Sequence, residues 1–146
     1  MSTWVLVAHR TGARLFEHKG HELSVLETID HPAGRVEDHD LERGPQRNFD
    51  SHAQGRHAKD RGGSRHERAA VHFAHDLARL LEEGRLTKGV NRIVLVAEPH
   101  FLGLLRAELG KEAAELVTAG VAKDLHAVSA PDVLRHLDGV LPGADS

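Results

Sequence analysis

The chain has 146 residues, 40% of them hydrophobic and 28% charged, with no cysteine and a net charge of −3. That length fits a single domain, residues 1–146, around one core. Disulfide and thiolate chemistry are excluded, no apolar run approaches the length of a membrane span, and the acidic total argues against a nucleic-acid surface covering the whole protein.

The charge is uneven. Residues 43–68 carry seven cations (Arg43, Arg47, Arg56, Lys59, Arg61, Arg65 and Arg68) against three acids (Asp50, Asp60 and Glu67), a net of +4 that leaves −7 for the remainder. A basic stretch on an acidic body points to a local anion site. The opening MSTWVLVAHR lacks a basic region ahead of its apolar run. It is not expected to be a signal peptide, and a cytoplasmic location is expected. The oligomeric state is left open.

Trp4–His9 (WVLVAH) is a short apolar strand, and Arg10, Thr11 and Gly12 make a turn. Ala13–Glu17 resumes as a second strand, and His18–Glu22, with Gly20 at the tip, is a hairpin turn. Leu23–Ile29 is a third strand whose register is ambiguous, because Leu26 breaks the alternation of Leu23 and Val25. Three strands joined by tight turns form an antiparallel meander. From His31 to Gly63 apolar residues nearly vanish, and a basic loop is expected there; loops of this length are commonly functional.

Ser64–Glu83 is a helix opened by a capping box, Ser64 with Glu67, and stopped by Gly84. The unbroken apolar run Ile93–Ala97 predicts a strand covered on both faces, at the middle of the sheet. Glu98 and Pro99 end it and begin a helix with Phe101, Leu102, Leu104, Leu105 and Leu109 on its apolar face. Lys111–Glu115 is a short helix, Leu116–Ala122 a fifth strand containing Gly120, and Ser129 caps a last helix at Pro131–Leu137. Leu141–Ser146 is a frayed tail.

The resulting α/β order is three antiparallel strands followed by two crossover strands. It predicts a five-stranded mixed sheet with helices on its faces, the three-layer order of ribonuclease H-like folds.

Several segments together resemble the bacterial host-attachment protein family: WVLVAHRTGARLFE at the start, DHPAGR at Asp30–Arg35, RNFDS at Arg47–Ser51 with GRHA at Gly55–Ala58, LVAEPHFLGLLR at Leu95–Arg106, and VAKDLHAVSAPDVLRHL at Val121–Leu137. The resemblance spans nearly the whole chain, and the family name implies a role in attachment to host cells. The family in turn looks like a distant relative of the middle domain of eukaryotic and archaeal peptide-chain release factors. There a loop before a long helix carries Gly-Gly-Gln. Here Gly62 and Gly63 are followed by Ser64, so the glutamine that helps place water is missing.

Four candidate sites follow. The cations of residues 43–68, with Arg35 able to join them, could neutralise phosphates beside the helix start at Ser64, with ribosomal or transfer RNA the implied partner and another protein the alternative. Phe49 is the lone aromatic of that stretch, too few for a base-stacking platform. His9 and Glu98 end two strands that should lie side by side, a possible hydrolytic cleft or polar pair. One carboxylate with one histidine does not make a two-metal site. The thirteen histidines include His72 and His75 beside Asp76 on one side of the long helix, and His52 and His57 in the loop. There is no HExxH motif, so no metal ligands and no cofactor are expected. Finally, the Asp30–Arg35 turn is expected to be structural, and Lys123 with Asp124 an ion pair.

Overall fold

The computed structural model describes residues 2–31 and 65–141. The expected loop at 31–63 falls outside them from Pro32 onward, as do Arg35, Arg43, Arg47, Arg56, Lys59, Arg61, Gly62, Gly63, Ser64 and the tail after Leu141.

Five strands, β1 (Ser2–His9), β2 (Gly12–Lys19), β3 (Glu22–Asp30), β4 (Val90–Ala97) and β5 (Val117–Ala122), form one sheet in the order β3-β2-β1-β4-β5. The β1–β2 and β2–β3 pairs are antiparallel, whereas β1–β4 and β4–β5 are parallel. The mixed sheet is therefore the one the element order predicts. Among the described residues, four helices accompany it: α1 (Arg65–Thr87), α2 (Pro99–Glu108), α3 (Lys111–Leu116) and α4 (Ala130–His136).

Alternation along the strands divides the core in two. Trp4, Leu6 and Ala8 of β1, with Ile93, Leu95 and Ala97 of β4, face one side, where Phe73, Leu77 and Leu81 of α1 and Phe101, Leu102 and Leu105 of α2 cover them. Val5, Val7, Val94 and Val96 face the other side, beneath Leu125 and the Val133 and Leu137 side chains at α4. All five residues from Ile93 to Ala97 are fully buried, as expected of a strand covered on both faces. Among the described residues, no helix is long and apolar enough to cross a membrane.

Two details depart from expectation. In β3 the alternation fails because of a bulge: Leu15 pairs with Glu27 while Phe16 pairs with Val25, so Leu26 is an extra residue. The bulge reverses the parity of the strand, and Leu23 packs with the α4-side core while Ile29 packs with the α1-side core.

Gly84 does not stop α1, which continues to Thr87. Gly84 is buried instead, and a Cβ placed on it would lie 2.3 Å from Trp4 Cζ3. The glycine is there so that Trp4 can lie against the helix backbone. The chain turns at Gly89, whose φ of +73° is the left-handed conformation that favours glycine after a helix.

Candidate functional site at the carboxyl edge of the sheet

β1, β3, β4 and β5 all run in the same direction, so their carboxyl ends share one edge of the sheet. α1 must start at that edge, since it precedes β4. A contact confirms it: His100 in the first turn of α2 donates through Nε2 to the Glu67 carboxylate in the first turn of α1, at 3.0 Å. In α/β sheets this is the edge where ligands bind, because the loops that follow the strands converge there.

The end of β3 is fixed to this edge through His31. Its backbone N–H donates to Thr11 O (3.0 Å) and its Nδ1 donates to Arg10 O (2.7 Å). Its ring stacks on Phe73 of α1 at 4.1 Å between centroids. The two ends of the segment 32–64, His31 and Arg65, therefore both stand at the carboxyl edge. Arg65 and Arg68 lie in the first turn of α1, and Arg68 is exposed.

His9 and Glu98 are neighbours on this edge, as the parallel pairing of β1 with β4 requires. The Glu98 carboxylate, however, is engaged with the helix that follows it. One oxygen accepts from the His100 amide (3.0 Å) and the other from the Phe101 amide (2.9 Å), capping α2, with Pro99 in the first helical turn. Each oxygen thus accepts one backbone hydrogen bond at a helix N-terminus, where negative charge is favoured.

His9 has other partners. Its Nδ1 lies 2.8 Å from the Thr11 hydroxyl and 3.3 Å from the Thr11 amide. Its ring stacks on that of His126, with centroids 3.9 Å apart and planes 16° from parallel. His126 in turn donates through Nδ1 to Asp124 at 2.7 Å. Burial first, and then the charge of His126, push His9 below its ordinary value of 6.5; Arg10 acts the same way, while Asp124 and Glu98 oppose the shift. Asp124 is held below the usual carboxylate value chiefly by the hydrogen bond from His126.

The expected Lys123–Asp124 ion pair is not formed. Asp124 serves His126, while Lys123 Nζ lies 3.4 Å from His136 Nδ1. The reason is the buried residue between Asp124 and His126. Leu125 sits in the α4-side core, and its carbonyl accepts from Arg14 Nη2 on β2 (2.8 Å) and from the Val128 amide (3.0 Å). Pinning Leu125 carries the loop after β5 over the end of β4 and turns Asp124 and His126 toward His9.

Arg14 is itself half-buried over the Phe16 ring, burial lowers its pKa, and its Nε has no partner among the described residues. Sequence reading found His9 and Glu98 because both end strands. It missed Asp124 and His126, whose only local signal is two polar residues flanking a leucine.

The histidines of the long helix are occupied elsewhere. His75 Nδ1 lies 3.1 Å from Glu108 on α2, and His72 Nδ1 lies 3.6 Å from Asp76. A groove of about 440 Å³ lined by Trp4, Leu15, Glu17, Glu27 and Glu83 opens at the opposite end of the sheet, around the start of β1.

Comparison with curated proteins gives no match. Among solved structures, one described as "Archaeal protein" is similar at 12% identity and a TM-score of 0.47. That alignment covers 94% of this chain and 37% of the other, so this chain spans little more than a third of its length. The family model described as "Protein required for attachment to host cells" matches residues 4–137, from β1 through the end of α4. That match reaches every strand and helix among the described residues, and the chain belongs to this family of host-attachment proteins.

Proposed function

We propose that the protein binds an anionic partner, the phosphate backbone of a ribosomal or transfer RNA, through the basic stretch of residues 43–68. The observation that carries this reading is the position of its two flanks. His31 is fastened to the β1–β2 turn, and Arg65 begins α1, both on the carboxyl edge. Residues 43–68, which run into the first turn of α1, have a net charge of +4 on a body of −7, a local attraction for a polyanion. Phosphate contact is favoured over base reading because Phe49 is the one aromatic in the stretch. An RNA partner goes with a cytoplasmic protein.

A second reading has the family description in its favour: a module that docks on a protein during attachment to host cells. The hydrolase reading gains nothing from the geometry, since the Glu98 oxygens are bound to two backbone amides.

Ribosome co-sedimentation of the intact protein, beside a variant with Arg56, Lys59 and Arg61 changed to glutamine, tests the first reading. The wild type is expected to pellet with ribosomes and the variant to remain in the supernatant. Equal behaviour of the two proteins contradicts RNA binding and leaves the protein-docking reading.

A further inference from the structure

The RNA reading makes no use of the best-organised polar group on the carboxyl edge. His9, Asp124 and His126 each offer one ligand atom, a ring nitrogen or a carboxylate oxygen, and these atoms all lie within 4.8 Å of one another. We propose that these three residues form a binding site for a divalent transition-metal ion of the zinc class.

Three features separate this group from scattered surface histidines. First, the donor atoms are already grouped by contacts of their own: His126 Nδ1 lies 2.7 Å from Asp124 Oδ1, and the His9 ring stacks on that of His126 with centroids 3.9 Å apart. An ion between His126 and Asp124 replaces the proton they share.

Second, the approach of Asp124 and His126 to β1 is imposed from outside the group. The buried Leu125 side chain and the Arg14 hydrogen bond to its carbonyl hold the loop, so the ligands are gathered without metal. Third, the site is accessible, because the side chains of Asp124 and His126 are 48% and 44% exposed.

The donor set selects the ion. Two imidazoles and one carboxylate suit Zn²⁺, Co²⁺ or Ni²⁺, whereas Mg²⁺ and Ca²⁺ take oxygen ligands. Ligands about 2.1 Å from a tetrahedral ion stand about 3.4 Å apart, a spacing that a small side-chain movement reaches. The exposed Asp124 and His126 side chains can make that movement, with the stacked rings turning out of parallel to aim their lone pairs at one point. Three protein ligands leave a fourth position for water or for an anionic group.

The test uses the intact, untagged chain with Zn²⁺ and Co²⁺ alone. Zn²⁺ affinity is measured by competition with a chromogenic chelator, and ligand geometry by the visible absorption of bound Co²⁺. The wild type is expected to take up one tightly held ion and to give a tetrahedral Co²⁺ band. His9→Ala and His126→Ala should each weaken Zn²⁺ binding at least about tenfold and lose the band. A double variant, His72→Ala with His75→Ala, should match the wild type and controls for uptake by other histidines. Retention of wild-type affinity and spectrum by His126→Ala, or wild-type uptake no tighter than that of both ligand variants, overturns the assignment.

Discussion

Replacing Gly84 with alanine tests the packing of α1 against β1. An alanine Cβ would stand 2.3 Å from Trp4 Cζ3, 2.4 Å from Cη2 and 3.0 Å from Cε3. Carbon atoms pack at about 3.5–4.0 Å, so the overlap exceeds about 1 Å at two ring atoms. Trp4 is only 6% exposed and lies among Leu15, Leu81 and the rest of the α1-side core, so its ring or the helix must shift. Overpacking of this kind costs about 1–3 kcal/mol. Against it stands the gain of about 1 kcal/mol for exchanging glycine for alanine inside a helix.

The net expectation for Gly84→Ala is a loss of up to about 2 kcal/mol, measured by urea unfolding followed by far-ultraviolet circular dichroism. Pairing it with Trp4→Phe, which removes the ring atoms that clash, should recover part of the loss in a double-mutant cycle. A Gly84→Ala variant more stable than wild type would refute the reasoning, because it would mean that helix propensity outweighs the contact.

Two further outcomes follow from named contacts. Glu98→Ala removes both side-chain acceptors at the start of α2 and should lower stability by about 1 kcal/mol, while Glu98→Gln, which keeps one acceptor oxygen, should lose less. Equal stability of Glu98→Ala and wild type in urea would contradict the capping role. His18 is held below its ordinary 6.5 first by burial and then by the charge of His21. The unfolded chain therefore takes up this proton before the folded one, so stability is full above about pH 6.5 and declines as pH falls through the lower folded value. Wild type should lose more stability than His18→Gln between about pH 7.5 and pH 5, and an opposite ranking would show that the shift has the other sign.

The sheet was legible where one residue pattern had one meaning. Ile93–Ala97, apolar without a break, can be satisfied only between two covered faces, and β4 lies between β1 and β5. The register of β3 was not legible, because Leu26 is the extra residue of a bulge set by pairing with β2, and local sequence does not show which residue is skipped. Gly84 misled for a related reason. A glycine at the end of a helical apolar pattern resembles a stop, and only the distant Trp4 reveals that it makes room for a ring.

The site divides in the same way. His9 and Glu98 could be placed from strand ends alone. Asp124 and His126 reach His9 through the hydrogen bond from Arg14 to the Leu125 carbonyl, across 111 residues of sequence. A tertiary contact of that span leaves no periodicity or spacing to read. The thirteen histidines looked scattered in one dimension, yet His9, His31, His100 and His126 converge on one edge once the parallel strands are aligned.

The most direct measurement is the salt dependence of binding to a labelled single-stranded RNA, for the wild type and for the variant with Arg56, Lys59 and Arg61 neutralised. Each phosphate contact to a single strand contributes about 0.7 to the slope of log affinity against log salt, so losing three should flatten the slope by about 2. Weaker binding with that flatter slope is the result predicted here. Affinity indifferent to salt, or a slope the same in both proteins, would contradict a phosphate-binding role for the basic stretch.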